Sequence, residues 1–137
     1  MPVSELLMGC VLVALGATVG TPARFFVSGV IARRFGETFP WGTLVVNVSG
    51  CLIMGGVAAF AKAHDLSAGS AAWLLAATGF LGSYTTVSSF ALQTRALVSD
   101  GEHRPAIGYI LLSFVLCLAA VGGGFAAGHL AFAGSGR

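Results

Sequence analysis

The chain has 137 residues, of which 56% are hydrophobic and only 9% charged, against about 25% charge in an ordinary soluble domain. With a net charge of +2 and no basic stripe, that balance excludes a soluble globular fold and a nucleic-acid partner, and describes a protein of the lipid bilayer. Three cysteines (Cys10, Cys51 and Cys117), all within apolar runs and at unrelated spacing, imply neither a disulfide framework nor a zinc site.

Four uncharged runs follow one another: Leu6 to Ala23, Trp41 to Ala61, Leu66 to Thr94 and Ala106 to Leu130. Each is close to or longer than the roughly 18–20 residues that cross a bilayer as a helix. The expectation is an all-α integral membrane protein, a single domain over 1–137 with four transmembrane helices at about 5–32, 41–61, 67–95 and 106–130. The first run is preceded by Glu5 rather than by Lys or Arg, and exceeds the signal-peptide core of about 7–15 residues. It is therefore read as an uncleaved helix.

Late in that helix stands Arg24, in "GTPAR". A guanidinium at membrane depth costs several kcal/mol unless it snorkels or faces a cavity. Snorkelling and a place at the mouth of an anion pathway fit it equally. "RRFGETFPW" (Arg33–Trp41) then turns at Gly36 and enters the second helix behind Pro40. There, "GTLVVNVSG" (Gly42–Gly50) carries Asn47. Its amide suits an interhelical hydrogen bond or donation to a dehydrated anion.

"KAHDLS" (Lys62–Ser67) is a tight turn with Ser67 a candidate N-cap. The third run holds "TGFLGSYTTVSSF" (Thr78–Phe90), two glycines and a crowd of hydroxyls between apolar flanks. Gly79 and Gly82 weaken the middle of a helix, and Ser and Thr compete for its backbone partners. A break there frees carbonyl oxygens, tolerated at depth only when buried in protein or lining a cavity, and suited to a desolvated Na⁺ or K⁺. "RALVSDGEHRP" (Arg95–Pro105) turns at Asp100-Gly101.

The fourth run carries Tyr109, Ser113 and Cys117 four apart, on one helical face. That stripe serves either a pore lining or plain helix contact. Small residues also recur four apart: Gly16 and Gly20, Gly55 and Ala59, Gly124 and Gly128. They argue for a tight bundle rather than an activity. Four Lys/Arg flank the runs on one side (Arg33, Arg34, Arg95, Arg104) and two on the other (Lys62, Arg137). This bias is too weak to choose between one orientation and insertion both ways.

Taken in order, Gly20-x-x-x-Arg24, "GTLVVNVSG" with Asn47, and "GFLGSYTTVSSF" (Gly79–Phe90) resemble the small fluoride channels known as Fluc or CrcB. The likeness covers essentially the whole chain. It implies an antiparallel, dual-topology homodimer in the inner (plasma) membrane, with the third helix broken at mid-membrane. It also implies two narrow fluoride pores and a structural Na⁺ at the dimer centre. The backbone carbonyls of Gly82 and Thr85 are then the Na⁺ ligands, and Arg24 lies near the vestibule. Asn47, Thr86, Val87, Ser88 and Phe90, with Tyr109, Ser113 and Cys117, line the fluoride pore. Thr85 adds a hydroxyl donor. Phe90 presents its ring edge, which is electropositive.

The family pattern has a second phenylalanine three positions before Phe90, where this chain has Val87. That replacement keeps open a non-transporting subunit, or a partner chain of a heterodimer. "GSY" at Gly82–Tyr84 and Cys117 are further departures. A small proton-coupled exporter needs an ionisable carboxylate at depth, and no Asp or Glu lies within any of the four runs. No nucleophile, general base or cofactor pocket is legible, so the expectation is a passive channel, not an enzyme.

Overall fold

A computed structural model describes residues 2–36 and 38–132. Among them every regular element is helical: α1 (Val3–Phe35), α2 (Trp41–Ala63), α3 (residues 71–84), α4 (Val87–Ser99) and α5 (His103–Phe132). Helices α1, α2 and α5 are long and apolar enough to cross a membrane. At 33 residues α1 is about 50 Å long, well beyond the ~30 Å hydrocarbon core. Its last turn carries Arg33 and Arg34. Leu7, Leu15, Phe26, Leu111, Phe114 and Leu118 are all exposed. An apolar exterior of this extent suits lipid or another protein, not water.

The turns follow local chemistry. Gly36 ends α1 at φ +84° and Gly101 sits between α4 and α5 at φ +80°, conformations that glycine adopts without a Cβ clash. The start of α3 differs from expectation. Ser70 caps it, its hydroxyl accepting from Trp73 N–H at 3.3 Å. Ser67 instead offers its carbonyl to Ser70 N–H.

The stretch expected as one span over 67–95 is not a continuous helix. α3 opens with one turn, Ala71–Trp73, widens into a π-helix over Leu74–Leu81, and closes with Gly82–Tyr84. Thr85 (φ −76°, ψ 161°) and Thr86 (φ −153°, ψ 126°) are extended, and α4 begins at Val87. The interruption thus falls three residues beyond Gly82. Gly79, expected to weaken the helix, is used for contact. A Cβ there would lie 2.6 Å from Val13 O and 3.0 Å from Gly16 Cα.

Two helix pairs make the bundle, α1 with the π-helical part of α3, and α2 with α5. Both are glycine contacts. Gly16 and Gly20 of α1 press on the backbone of residues 75–80, and a Cβ on Gly16 would reach within 2.6 Å of Phe80 N. On the other side, a Cβ on Gly55 would meet Phe125 N at 2.6 Å, and one on Gly128 would meet Ala59 Cβ at 2.7 Å. In lipid such close backbone approach supplies the association that apolar burial gives in water. All three cysteines are free.

Candidate functional site

The interruption between α3 and α4 is where the polar groups of the bundle meet. A continuous helix would give the Thr86 N–H to the Gly82 carbonyl, four residues back. Here that N–H goes to Asn47 Oδ1 at 2.8 Å, while Asn47 Nδ2 donates to the Thr86 carbonyl at 2.9 Å. One amide side chain on α2 therefore satisfies both backbone groups of Thr86. Gly50, one turn further along α2, leaves the room: a Cβ there would lie 3.3 Å from the Tyr84 ring, and would collide with the Thr85 methyl group. Ser49 adds a hydroxyl contact to Tyr84 Oη at 2.9 Å.

The Thr85 carbonyl receives Arg24 Nη1 from α1 at 3.4 Å. The Thr85 hydroxyl donates to Leu81 O at 2.9 Å, so its proton is committed to backbone. That differs from the expected role of this hydroxyl as an anion donor. The Thr86 hydroxyl caps α4 by accepting from Ser89 N–H at 3.2 Å, and contacts Ser88 Oγ at 3.1 Å. Arg24, Asn47, Thr85, Thr86 and Ser88 thus converge on one place. Of the two expected metal ligands, Gly82 lies on an exposed surface with its carbonyl released by the Asn47 clamp, and the Thr85 carbonyl carries only the long Arg24 bond. Neutral carbonyl oxygens freed in this way are the donor type that a hard monovalent cation requires.

A second cluster lies between α4 and α5. Phe90 tilts against Tyr109 with ring centroids 5.1 Å apart, and Phe39 meets Tyr109 edge-on at 5.5 Å. Tyr109 is fully buried, and its hydroxyl donates to Gln93 Oε1 at 3.2 Å. One turn along α5, Ser113 Oγ is buried with no hydrogen-bond partner among the described residues. Cys117 continues that face beside Cys51 of α2. Val87 stands apart from both clusters: it is 80% exposed, so it lines nothing within a single chain.

A cavity of about 700 Å³ opens between the end of α1, the start of α2 and α4, with Gln93 and Ser89 in its wall. It adjoins a smaller one of about 270 Å³ that reaches Arg24 and Thr86, and the two share Phe25, Ser28, Thr43 and Ser89. The smaller cavity thus lies beside the arginine and the interruption. The sequence reading did not single out Gln93, Thr43 or Ser28. Gln93 had a legible signal, a polar residue one turn after Phe90 on the same helical face. Thr43 and Ser28 are hydroxyls of a kind that occurs throughout the spans.

The family described as CrcB-like protein, Camphor Resistance (CrcB), matches residues 11–125. Curated relatives agree. A protein of Rhodopseudomonas palustris (strain BisB18) named fluoride-specific ion channel FluC 2 is 54% identical over 127 residues, spanning 92% of this chain and 97% of the relative. One of the same name from Bradyrhizobium diazoefficiens is 49% identical over 120 residues, 87% of this chain and 88% of its own. A fluoride-specific ion channel FluC of Paracoccus denitrificans is 48% identical over 121 residues, 88% and 94%. A family match over residues 11–125 and relatives about half identical across most of their length show that the chain belongs to the CrcB family.

Proposed function

We propose that this chain forms a passive, fluoride-selective channel of the inner (plasma) membrane, assembled from two antiparallel copies. The observation that carries the reading is the clamped interruption at Thr85–Thr86, in a chain about half identical to proteins named as fluoride channels. In this reading α3 and α4 together make the third of four crossings, broken at mid-membrane. Fluoride enters the cavities beside Arg24, whose charge draws it to the interruption. It then passes the remaining Asn47 amide N–H, the hydroxyls of Thr86 and Ser88, and the Phe90 edge. The unpartnered Ser113 hydroxyl lies further along, between Tyr109 and Cys117. Asn47, Thr86 and Ser88 are already held by hydrogen bonds, so little reorganisation accompanies passage.

The carbonyls of Gly82 and Thr85 are suited to a structural Na⁺ shared by the two copies. A Na⁺ held by these carbonyls would supply a positive charge between two broken helices. Gly82 and Val87 are both exposed in the single chain, consistent with a second copy covering that face. Insertion in both orientations fits the weak Lys/Arg bias, four against two.

A second reading, a subunit that needs a different partner chain, is favoured by Val87. A valine brings no electropositive ring edge to the partner's pore.

The test is voltage. An imposed potential is worth about 2.3 kcal/mol per charge per 100 mV. In liposomes clamped by a potassium gradient, a passive channel passes fluoride in the direction and roughly the amount that the potential dictates, with no proton gradient. Fluoride movement that requires a proton gradient would overturn the channel reading. Flux only after a second, different chain is added would favour the heterodimer.

A further inference from the structure

We infer that Arg24 competes with the cation at the helix interruption, holding the Thr85 carbonyl in the separate chain and weakening cation capture in the assembled one. The inference rests on the reading of Gly82 and Thr85 as cation ligands, and adds a residue that the ligand set does not contain.

Three observations support it. Arg24 Nη1 reaches the Thr85 oxygen at 3.4 Å, across 61 residues of sequence. The position of Arg24 relative to that oxygen is fixed from behind. Gly20, one helical turn earlier, is pressed onto the backbone of Phe80 and the hydroxyl of Ser83 so closely that a Cβ would collide with both. The guanidinium also has somewhere to go, because the cavity of about 270 Å³ beside it is walled by Arg24, Thr21, Ser28, Thr43 and Ser89. Among the described residues no carboxylate lines that cavity. A fixed positive charge and a captured cation next to one carbonyl repel each other strongly in a medium of low dielectric. Swinging Arg24 into the cavity relieves the repulsion and turns the same charge toward the anion path. One residue then serves the anion when the cation is bound, and blocks the cation's oxygen when it is not.

The experiment measures assembly, not ion flux. Donor- and acceptor-labelled copies in detergent micelles are mixed, and energy transfer is followed while sodium replaces N-methylglucamine at constant ionic strength. Arg24→Gln is expected to lower the sodium midpoint for assembly about tenfold, and Arg24→Lys, which keeps the charge, by less than about threefold. Arg24→Met, neutral and similar in length, is expected to behave as Arg24→Gln, so the conclusion does not depend on a single variant folding. A midpoint unchanged or raised in both neutral variants would overturn the inference alone, making Arg24 a support for the carbonyl and not a competitor. Wild-type assembly that ignores sodium would overturn the cation site itself, and the inference with it.

Discussion

Replacing Asn47 with leucine is expected to abolish most fluoride movement while leaving the helices in the membrane. The side chain loses both bonds to Thr86, 2.8 and 2.9 Å long. Two such bonds are worth about 2 kcal/mol together, which is a factor of about thirty in the balance between the interrupted and the continuous backbone. The freed Thr86 N–H has an obvious alternative, the Gly82 carbonyl four residues back, and a repaired helix removes that carbonyl from the surface. Leucine also deletes the N–H that the proposed function offers to the anion. Efflux into a fluoride electrode, measured per folded dimer, should therefore fall at least about thirtyfold. Asn47→Asp keeps an acceptor for the Thr86 N–H, but sets a carboxylate oxygen against the Thr86 carbonyl and a negative charge in an anion path. It should be no better. Wild-type flux in Asn47→Leu would show that the interruption stands without its clamp.

The second large effect is structural. Gly16→Val is expected to prevent a stable fold, because its Cβ alone would sit 2.6 Å from Phe80 N and 2.9 Å from Gly79 C, both backbone atoms that cannot rotate away. Overpacking commonly costs about 1–3 kcal/mol, and here about that much or more falls on one of the close glycine contacts that hold α1 to α3. A control lies on α5, where Gly122 and Gly123 have nothing within 4 Å of a built Cβ. Gly122→Val should keep the wild-type melting temperature in detergent, whereas Gly16→Val should run as aggregate on size exclusion. Equal behaviour of the two variants would mean that the α1–α3 contact is looser than the glycines suggest.

What could be read from the sequence follows from what each feature depends on. The long apolar helices declared themselves by composition alone, since a run such as Trp41 to Ala61 has no other stable use. The turns at Gly36 and Gly101 were equally legible, because a positive φ is a local property. That α3 is interrupted could be suspected from its glycines and hydroxyls, but its position could not be read from them. It lies at Thr85–Thr86, decided by an amide 39 residues earlier on another helix. Gly79, which looked like a weak point, is the surface on which α1 packs. The partner of Arg24 was hidden for the same reason, since a carbonyl has no signature in the sequence. Gln93 and the caps at Ser70 and Thr86 depend on where helices begin, which composition fixes only loosely.

The polar groups named from the sequence form two sets in one chain. Arg24, Asn47, Thr85, Thr86 and Ser88 gather at the interruption, and Phe90 and Tyr109 pair beside Gln93. Val87 and Gly82 face outward. In the proposed pore these parts would supply fixed neutral donors with one basic residue beside them, an arrangement that would select by size and dehydration and not by charge alone.

The most direct test is the initial rate of anion loss from liposomes holding this chain alone, with fluoride and chloride read by ion-selective electrodes in parallel. The account predicts rapid loss of fluoride with chloride retained, from a chain that has valine at position 87. Chloride leaving as fast as fluoride, or neither leaving from folded protein, would contradict it.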